Sequence, residues 1–502
     1  MWWHPRGDDG KRELMPMDLT PNTSNPDISF VKVESGKDMI YELSVESLER
    51  ILNSAKDVQR ELSSTTIYDR MDVFEEMGAI WTENLNSGLY AGLVSDLSRT
   101  TGYSEKLMAL ELSFVRKMFS KDSIERNLAF SFPNDITGLH SFVEADNGEY
   151  YRNMPAGPIF IISSGNSLIP PLIPTTLSLV TGNLTILKPS MSNFLGVSEA
   201  FKTLEMVEGK VAKALRDALY ISYFTHDSSS LRYLLERSSV GVVNFWGADP
   251  ARTKVGTMVA SNSHHPKYYI NGPLTGVAIM DSETAGEGPA RDLALNILLY
   301  DQQLCSSPTQ ALFVGQIDDA LAFAENVGRH LDVIGGEMPM ALGDGQMMCL
   351  QNARRAIMFR GSRVFSSKSK DNPWTIVVSR DTPSLDGIIM SQPEFNIYNR
   401  RRFLEIVVTD DIDSAPGFIE DVPERAAFRG VDKVQTIGLS LSRGNTMALL
   451  DKLPQTGAFR ITPLQDMFMR SPLEPYDGMN IASMFTYTVY YRNRGIQPDV
   501  MI

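Results

Sequence analysis

The chain has 502 residues, 43% of them hydrophobic and 22% charged, a globular composition long enough for two or three domains with sizeable cores. A formal net charge of -14 argues against a nucleic-acid partner held through its phosphates. Two cysteines, Cys305 and Cys349, make no disulfide framework and suit a reducing compartment, so a cytoplasmic protein is expected.

In chain order, residues 1–40 are polar and aperiodic and are expected to form a tail or an irregular surface cover. Met1 to Arg6 lead into Gly7-Asp8-Asp9-Gly10, without the apolar segment of a signal peptide. From Leu43 a helix is expected, capped by Ser44, with Val45, Leu48, Ile51, Leu52 and Ala55 on one face. Another helix starts near Ser104. Phe142 to Arg152 reads as a hairpin turning at Asp146-Asn147-Gly148. The most apolar stretch, Ile159 to Val180, is broken by Gly165, Asn166 and three prolines, which makes it strand, loop and helix rather than a membrane span.

Strands then alternate with helices. Strands are expected at Ile159–Ile162, Leu184–Leu187, Ala218–Phe224 and Val240–Phe245, and a helical segment from about Asn193 to Leu215. This pattern gives a parallel sheet with helices on both faces. Its ligands bind beyond the carboxyl ends of strands, where Asn166, Lys188 and Gly247 fall. A second α/β unit follows, with a strand at Thr275–Met280, a helix from Ala285 to Tyr300, and strands at Ala311–Val314, Trp374–Ser379 and Leu404–Thr409.

The residues that can carry chemistry each have a plain structural use. Asn166 is a turn former, or an amide donor to a developing oxyanion. Lys188 is a rim lysine, or a partner for a ribose hydroxyl or phosphate. Gly247 is a turn glycine, or lets backbone approach a pyrophosphate. No GxGxxG is present, so composition alone does not give a dinucleotide site. The six histidines form no metal pattern. Cys305, behind Tyr300-Asp301-Gln302-Gln303-Leu304, is a small hydrophobe or a nucleophile toward a carbonyl. Cys349, in Met347-Met348-Cys349-Leu350, reads as apolar packing.

The order of Asn166, Lys188-Pro189, Gly247, Asn271-Gly272-Pro273 and Cys305 resembles the aldehyde dehydrogenase superfamily. More specifically the chain is similar to the fatty acid reductases of bacterial bioluminescence, the long-chain acyl-CoA and acyl-protein reductases. The matching pieces are Thr101-Gly102-Tyr103-Ser104-Glu105, Ser164-Gly165-Asn166, Trp246-Gly247, the run ending at Cys305, Gln435-Thr436-Ile437, Gly457-Ala458-Phe459-Arg460 and Tyr476-Asp477-Gly478-Met479. The resemblance implies an α/β fold with a Rossmann-type cofactor domain, an α/β catalytic domain and an oligomerisation hairpin. Boundaries are then expected at 41–272 for the helical lead-in and cofactor domain, with the bridging hairpin at 141–153, at 273–430 for the catalytic domain, and at 431–502 for a C-terminal segment completing the fold and the oligomer interface.

It further implies a thioester on Cys305, with Asn166 and the Cys305 amide as the oxyanion hole, and cofactor contacts from Lys188, Ser190, Gly247, Trp246 and Ser164. Two departures from the wider superfamily matter. Asn271 stands where aldehyde-oxidising members carry the glutamate that activates hydrolytic water, and an amide cannot serve as that base. Met191 stands where many NAD-preferring members carry a glutamate, so nothing there excludes NADPH, with NADH also possible. The implied activity is NADPH-dependent reduction of an acyl-CoA or other acyl-carrier thioester to the aldehyde, in a homo-oligomer and with a possible acyl-delivering partner enzyme. The alternatives are an NAD(P)-dependent aldehyde dehydrogenase, an acyltransferase, and a non-catalytic scaffold of the same fold.

Overall fold

The structure, a computed structural model, describes residues 12–13, 28–35, 38–472 and 474–493. Two compact units divide the chain. The first takes residues up to 100 with 110–271 and 472 onward; the second takes 101–109 and 272–471.

The first unit is built on five parallel strands in the order Lys267–Asn271, Val242–Trp246, Ile159–Ile162, Thr185–Lys188, Leu219–Ile221. Numbered along the chain, that order is 5-4-1-2-3, a doubly wound arrangement whose direction reverses between Ile159–Ile162 and Val242–Trp246. The strands are short apolar runs because helices cover both faces, and the inner three are buried along their length. Phe160, Ile162, Ile186 and Val243 pack with Leu48, Ile51 and Leu52 of helix Val45–Ser63. Ser44 caps that helix, accepting from the Ser47 amide at 3.1 Å.

Three local expectations change. The segment before residue 44 is not wholly irregular: Phe30–Ser35 and Asp38–Leu43 pair as an antiparallel hairpin, burying Ile40 and Leu43. The remainder of the expected tail lies outside the described residues, apart from Arg12–Glu13, which pairs with Asp38–Met39. The helix expected from Asn193 to Leu215 is Phe194–Lys202, a 3-10 turn, and Lys210–Asp217. Gly209 breaks it with φ 108°, outside the helical range. The helix expected to reach Tyr300 stops at Leu298.

A further three-stranded sheet of this unit joins Val143–Asp146, Glu149–Pro155 and Thr486–Arg492. Its turn is Asn147-Gly148, both with positive φ, as a two-residue hairpin loop of right-twisted strands requires.

The second unit has seven strands in the order Arg363–Ser366, Thr375–Arg380, Phe403–Thr409, Pro308–Val314, Leu274–Asp281, Lys433–Ser440, Arg460–Pro463. All neighbours are parallel except the first pair. Side chains alternate between two cores: Val277 and Ile279 enter one with Leu350 and Ile357, Ala278 and Met280 the other with Leu293 and Phe323.

Candidate active site

In the first unit the candidate residues gather at the carboxyl ends of the strands. Ser163 follows Ile159–Ile162 and its amide donates to the Lys188 carbonyl at 3.0 Å, joining the ends of the first two strands. The loop beyond is held by side chains. Asn193 Nδ2 donates to the Ser164 and Ser167 carbonyls at 2.9 and 2.8 Å, and Ser192 Oγ donates to the Gly165 carbonyl at 2.7 Å. Buried Glu111 accepts from Ser167 Oγ and the Leu168 amide, at 2.5 and 2.6 Å. Ser164 Oγ donates to Asn166 Oδ1 at 3.0 Å. Ser190 reaches this loop through Ser192, the hydroxyls 3.2 Å apart.

Lys188 is almost wholly buried, and its ammonium stands 4.9 Å from the centre of the Tyr223 ring. Burial pulls its pKa down from 10.5 to about 8, with Glu42 opposing the fall. At the end of the adjacent strand the Ser163 hydroxyl is buried with no hydrogen-bond partner among the described residues. A nicotinamide dinucleotide fits such a strand end: it brings hydroxyls and phosphates, which answer both a buried ammonium and an unsatisfied hydroxyl. Sequence reasoning missed Ser163, since a serine two residues from a glycine carries no signal until its burial is known.

Trp246 and Gly247 belong to a neighbouring network. The Trp246 indole N–H donates to Asn244 Oδ1 at 2.5 Å, Asn244 Nδ2 to Asn271 Oδ1 at 2.9 Å, and Asn271 Nδ2 to Asp477 Oδ2 at 3.3 Å. Tyr476 meets the Trp246 ring edge-on at 4.6 Å, and the Gly247 amide donates to the Asn271 carbonyl at 3.1 Å. Asn271 is therefore a buried link bonded at both ends of its amide.

In the second unit Cys305 is half-buried, three residues after an unusual turn. Tyr300, Asp301 and Gln302 have φ of 52°, 49° and 66°, three consecutive left-handed residues without a glycine. Each such residue costs roughly 1–2 kcal/mol, so the surroundings must impose the turn. They do so through the residues of the motif itself. Asp301 is buried against Arg402, with Oδ1 2.6 Å from Nη2 and 2.9 Å from Nε. Arg402 also donates to Asn372 Oδ1 and the Met338 carbonyl, both at 2.6 Å. Burial pushes the Asp301 carboxyl up and the Arg402 guanidinium down, while their contact holds each toward its charged form. Gln302 donates to the Pro308 carbonyl and accepts from the Phe403 amide, each at 2.7 Å, and Gln303 donates to the Arg400 carbonyl at 2.8 Å.

The Cys305 loop then lies close on strand Leu274–Asp281. A Cβ on Gly276 would meet the Ser306 carbonyl carbon at 2.7 Å and the Ser307 oxygen at 2.8 Å, so this position needs glycine. Gln435 Nε2 donates to Cys305 Sγ at 2.9 Å. The contact of Gln435 with Cys305 was also missed, although Gln435 lies in the matching piece Gln435-Thr436-Ile437. Cys349 packs at the edge of an apolar core, and burial raises its thiol pKa. Among the described residues no group of His, Cys, Asp and Glu could hold a metal, and no helix is long and apolar enough to cross a membrane.

Comparison with known proteins gives the fold and the family. The solved structure of aldehyde dehydrogenase 21 from Physcomitrella patens superposes with a TM-score of 0.69 at 11% identity, covering 96% of this chain and 98% of that one. The fold is that of the aldehyde dehydrogenases, α/β with a Rossmann-type sheet. Long-chain acyl-protein thioester reductase 2 of Photobacterium leiognathi is 22% identical over 48% of this chain and 50% of its own length. The corresponding reductase of Aliivibrio fischeri is 21% identical over 57% and 58%. The chain thus spans about half the length of the curated relatives it matches. The profile of the acyl-CoA reductase (LuxC) family matches residues 62–487, and the chain belongs to that family.

Proposed function

We propose that this chain reduces an activated long-chain fatty acyl group to its aldehyde through a thioester on Cys305. The observation that carries the proposal is the left-handed turn Tyr300–Gln302. Three unfavourable backbone conformations, a buried ion pair and two clamped glutamines set up one cysteine whose sulphur receives an N–H. Strain so heavily supported marks a functional position.

Cys305, as thiolate, attacks the acyl carbonyl, and the carrier departs with its thiol sulphur. Asn166 serves as an amide donor to the oxyanion. A nicotinamide cofactor, NADPH in preference with NADH permitted, supplies hydride when bound. Lys188, Ser163, Ser164 and Ser190 would hold it, with Gly247 and Trp246 shaping the adjoining turn. The absence of a carboxylate at Met191 leaves room for a 2′-phosphate. Collapse of the thiohemiacetal breaks the C–S bond and returns the thiolate.

Asn271 bears on the direction of the reaction. Its amide links Asn244 to Asp477 and cannot take a proton from water, which favours a persistent thioester and disfavours the oxidative aldehyde dehydrogenase alternative. The family description favours an acyl-CoA substrate and the relatives' names an acyl-protein one. An acyl-delivering enzyme fits the second, and a homo-oligomer through strand Thr486–Arg492 fits the exposed Tyr487, Tyr490 and Tyr491.

The test is peptide-resolved mass spectrometry after incubation with long-chain acyl-CoA and no cofactor. An acyl adduct on Cys305, absent from Cys305→Ser, is expected. An adduct that persists in that variant, or none in the wild type, would overturn the proposal.

A further inference from the structure

The donor to the Cys305 sulphur is placed by a defect in the sheet. Between strands Leu274–Asp281 and Lys433–Ser440, Thr275 pairs with Val434 and Gly276 with Thr436. Gln435 is the extra residue of this bulge, and bulges re-aim side chains. It is fully buried, where a polar amide must find partners. The Thr436 hydroxyl donates to its Oε1 at 3.3 Å, and its backbone carbonyl accepts from the Phe459 amide at 3.1 Å. The other end of the amide, Nε2, faces Sγ.

We propose that Gln435 is the positioning residue of the Cys305 thiolate, giving it an N–H hydrogen bond before the C–S bond forms and again as it breaks. The inference rests on Cys305 being the nucleophile and adds the group that steadies its charge. In the collapse step the alkoxide oxygen re-forms the carbonyl, the C–S bond breaks, and its electron pair goes to sulphur. No proton moves, so a neutral amide suffices: it can donate to the thiolate but does not protonate it. The charged groups on the surrounding elements are Asp301 with its partner Arg402, Arg400 and Arg401 ahead of strand Phe403–Thr409 and Glu405 within it, Asp281 at the end of strand Leu274–Asp281, Lys433, and Arg460, which lies opposite Thr436 on the next strand. Lys433 stands 4.7 Å from the centre of the Phe459 ring.

The experiment follows alkylation of Cys305 by iodoacetamide against pH, read by peptide mass so that Cys349 is counted separately. Wild type, Gln435→Leu and Gln435→Glu are compared. A hydrogen bond to a charged acceptor of ordinary strength corresponds to about one to two pH units. In Gln435→Leu the rise in reactivity therefore moves to higher pH by about that much, and the rate at pH 7 falls about 10- to 100-fold. Gln435→Glu keeps the size of the side chain and sets a carboxylate beside the sulphur, so its profile moves further. Circular dichroism reports whether each variant is folded, and Gln435→Glu carries the test if Gln435→Leu is not. Profiles that coincide with wild type in folded variants would overturn the role of Gln435 while leaving Cys305 as nucleophile. A wild-type Cys305 that is alkylated at no pH would overturn both.

Discussion

Replacing Lys188 by methionine should stabilise the protein while disabling it. The ammonium is buried at the end of strand Thr185–Lys188, and its pKa falls from 10.5 to about 8. At about 1.36 kcal/mol per pH unit that gap is about 3 kcal/mol. The sign follows from lysine being a base with a lowered folded value. Below about pH 8 both folded and unfolded chains carry the proton, and the folded state bears the full cost of the buried charge. Between about 8 and 10.5 the folded chain gives up its proton first and the cost shrinks; above 10.5 it is gone. Methionine fills a similar space without charge. Loss of the contact with Tyr223 takes back roughly 0.5–2 kcal/mol. Lys188→Met should therefore gain about 1–3 kcal/mol at pH 7 and less at pH 10. Urea unfolding followed by tryptophan fluorescence, with Trp246 in the same unit, measures both. The same variant should bind NADPH more weakly, the usual conflict between a stable fold and a charged site. A variant less stable than wild type at pH 7, or one with an equal gain at both pH values, would refute the buried-ammonium reasoning.

Three further outcomes are expected. Arg402→Leu strands the Asp301 carboxylate in its buried turn and should cost about 3–5 kcal/mol; the double variant Asp301→Leu/Arg402→Leu should recover part of that in a urea titration, and no recovery would show that the pair does not hold the turn. Asn166→Ala should lower aldehyde formation about 100- to 1000-fold with an unchanged circular dichroism spectrum; near-wild-type turnover would remove Asn166 from the oxyanion hole. Asn271→Glu would set a carboxylate against Asp477, and two such groups hold a proton between them, so free acid should rise more in Asn271→Glu/Asp477→Asn than in the single variant. An acid-to-aldehyde ratio unchanged in both would mean that water is kept out by other means.

Much of the fold was legible because its determinants are local. Ile159–Ile162 and Leu184–Leu187 are apolar runs of strand length between turn residues, and their alternation with helices is enough to give a parallel, doubly wound sheet. Ser44 and Asn147-Gly148 mark a helix start and a turn by their own chemistry. The chemistry of Cys305 was suggested by motif order, but its setting was not. The left-handed turn contains no glycine and is imposed by Arg402, about a hundred residues away in sequence. The hydrogen bond from Gln435 depends on a bulge, a mismatch of two strands that neither strand shows alone. Ser163 stands out through the burial of a hydroxyl that has no partner among the described residues, which its sequence does not show. The early hairpin was missed because the Phe30–Ser35 strand is a short run with three apolar residues, and its partner Asp38–Leu43 straddles the expected boundary between tail and helical lead-in.

Everything proposed for the reaction passes through the acyl-enzyme, and its fate is the most direct measurement. The adduct would be formed from long-chain acyl-CoA, freed of excess substrate and mixed with NADPH, and its products separated. Loss of the adduct from Cys305 with about one aldehyde and one oxidised cofactor per acyl group is the predicted result. Release of free acid alone, or an adduct that NADPH leaves intact, would contradict it.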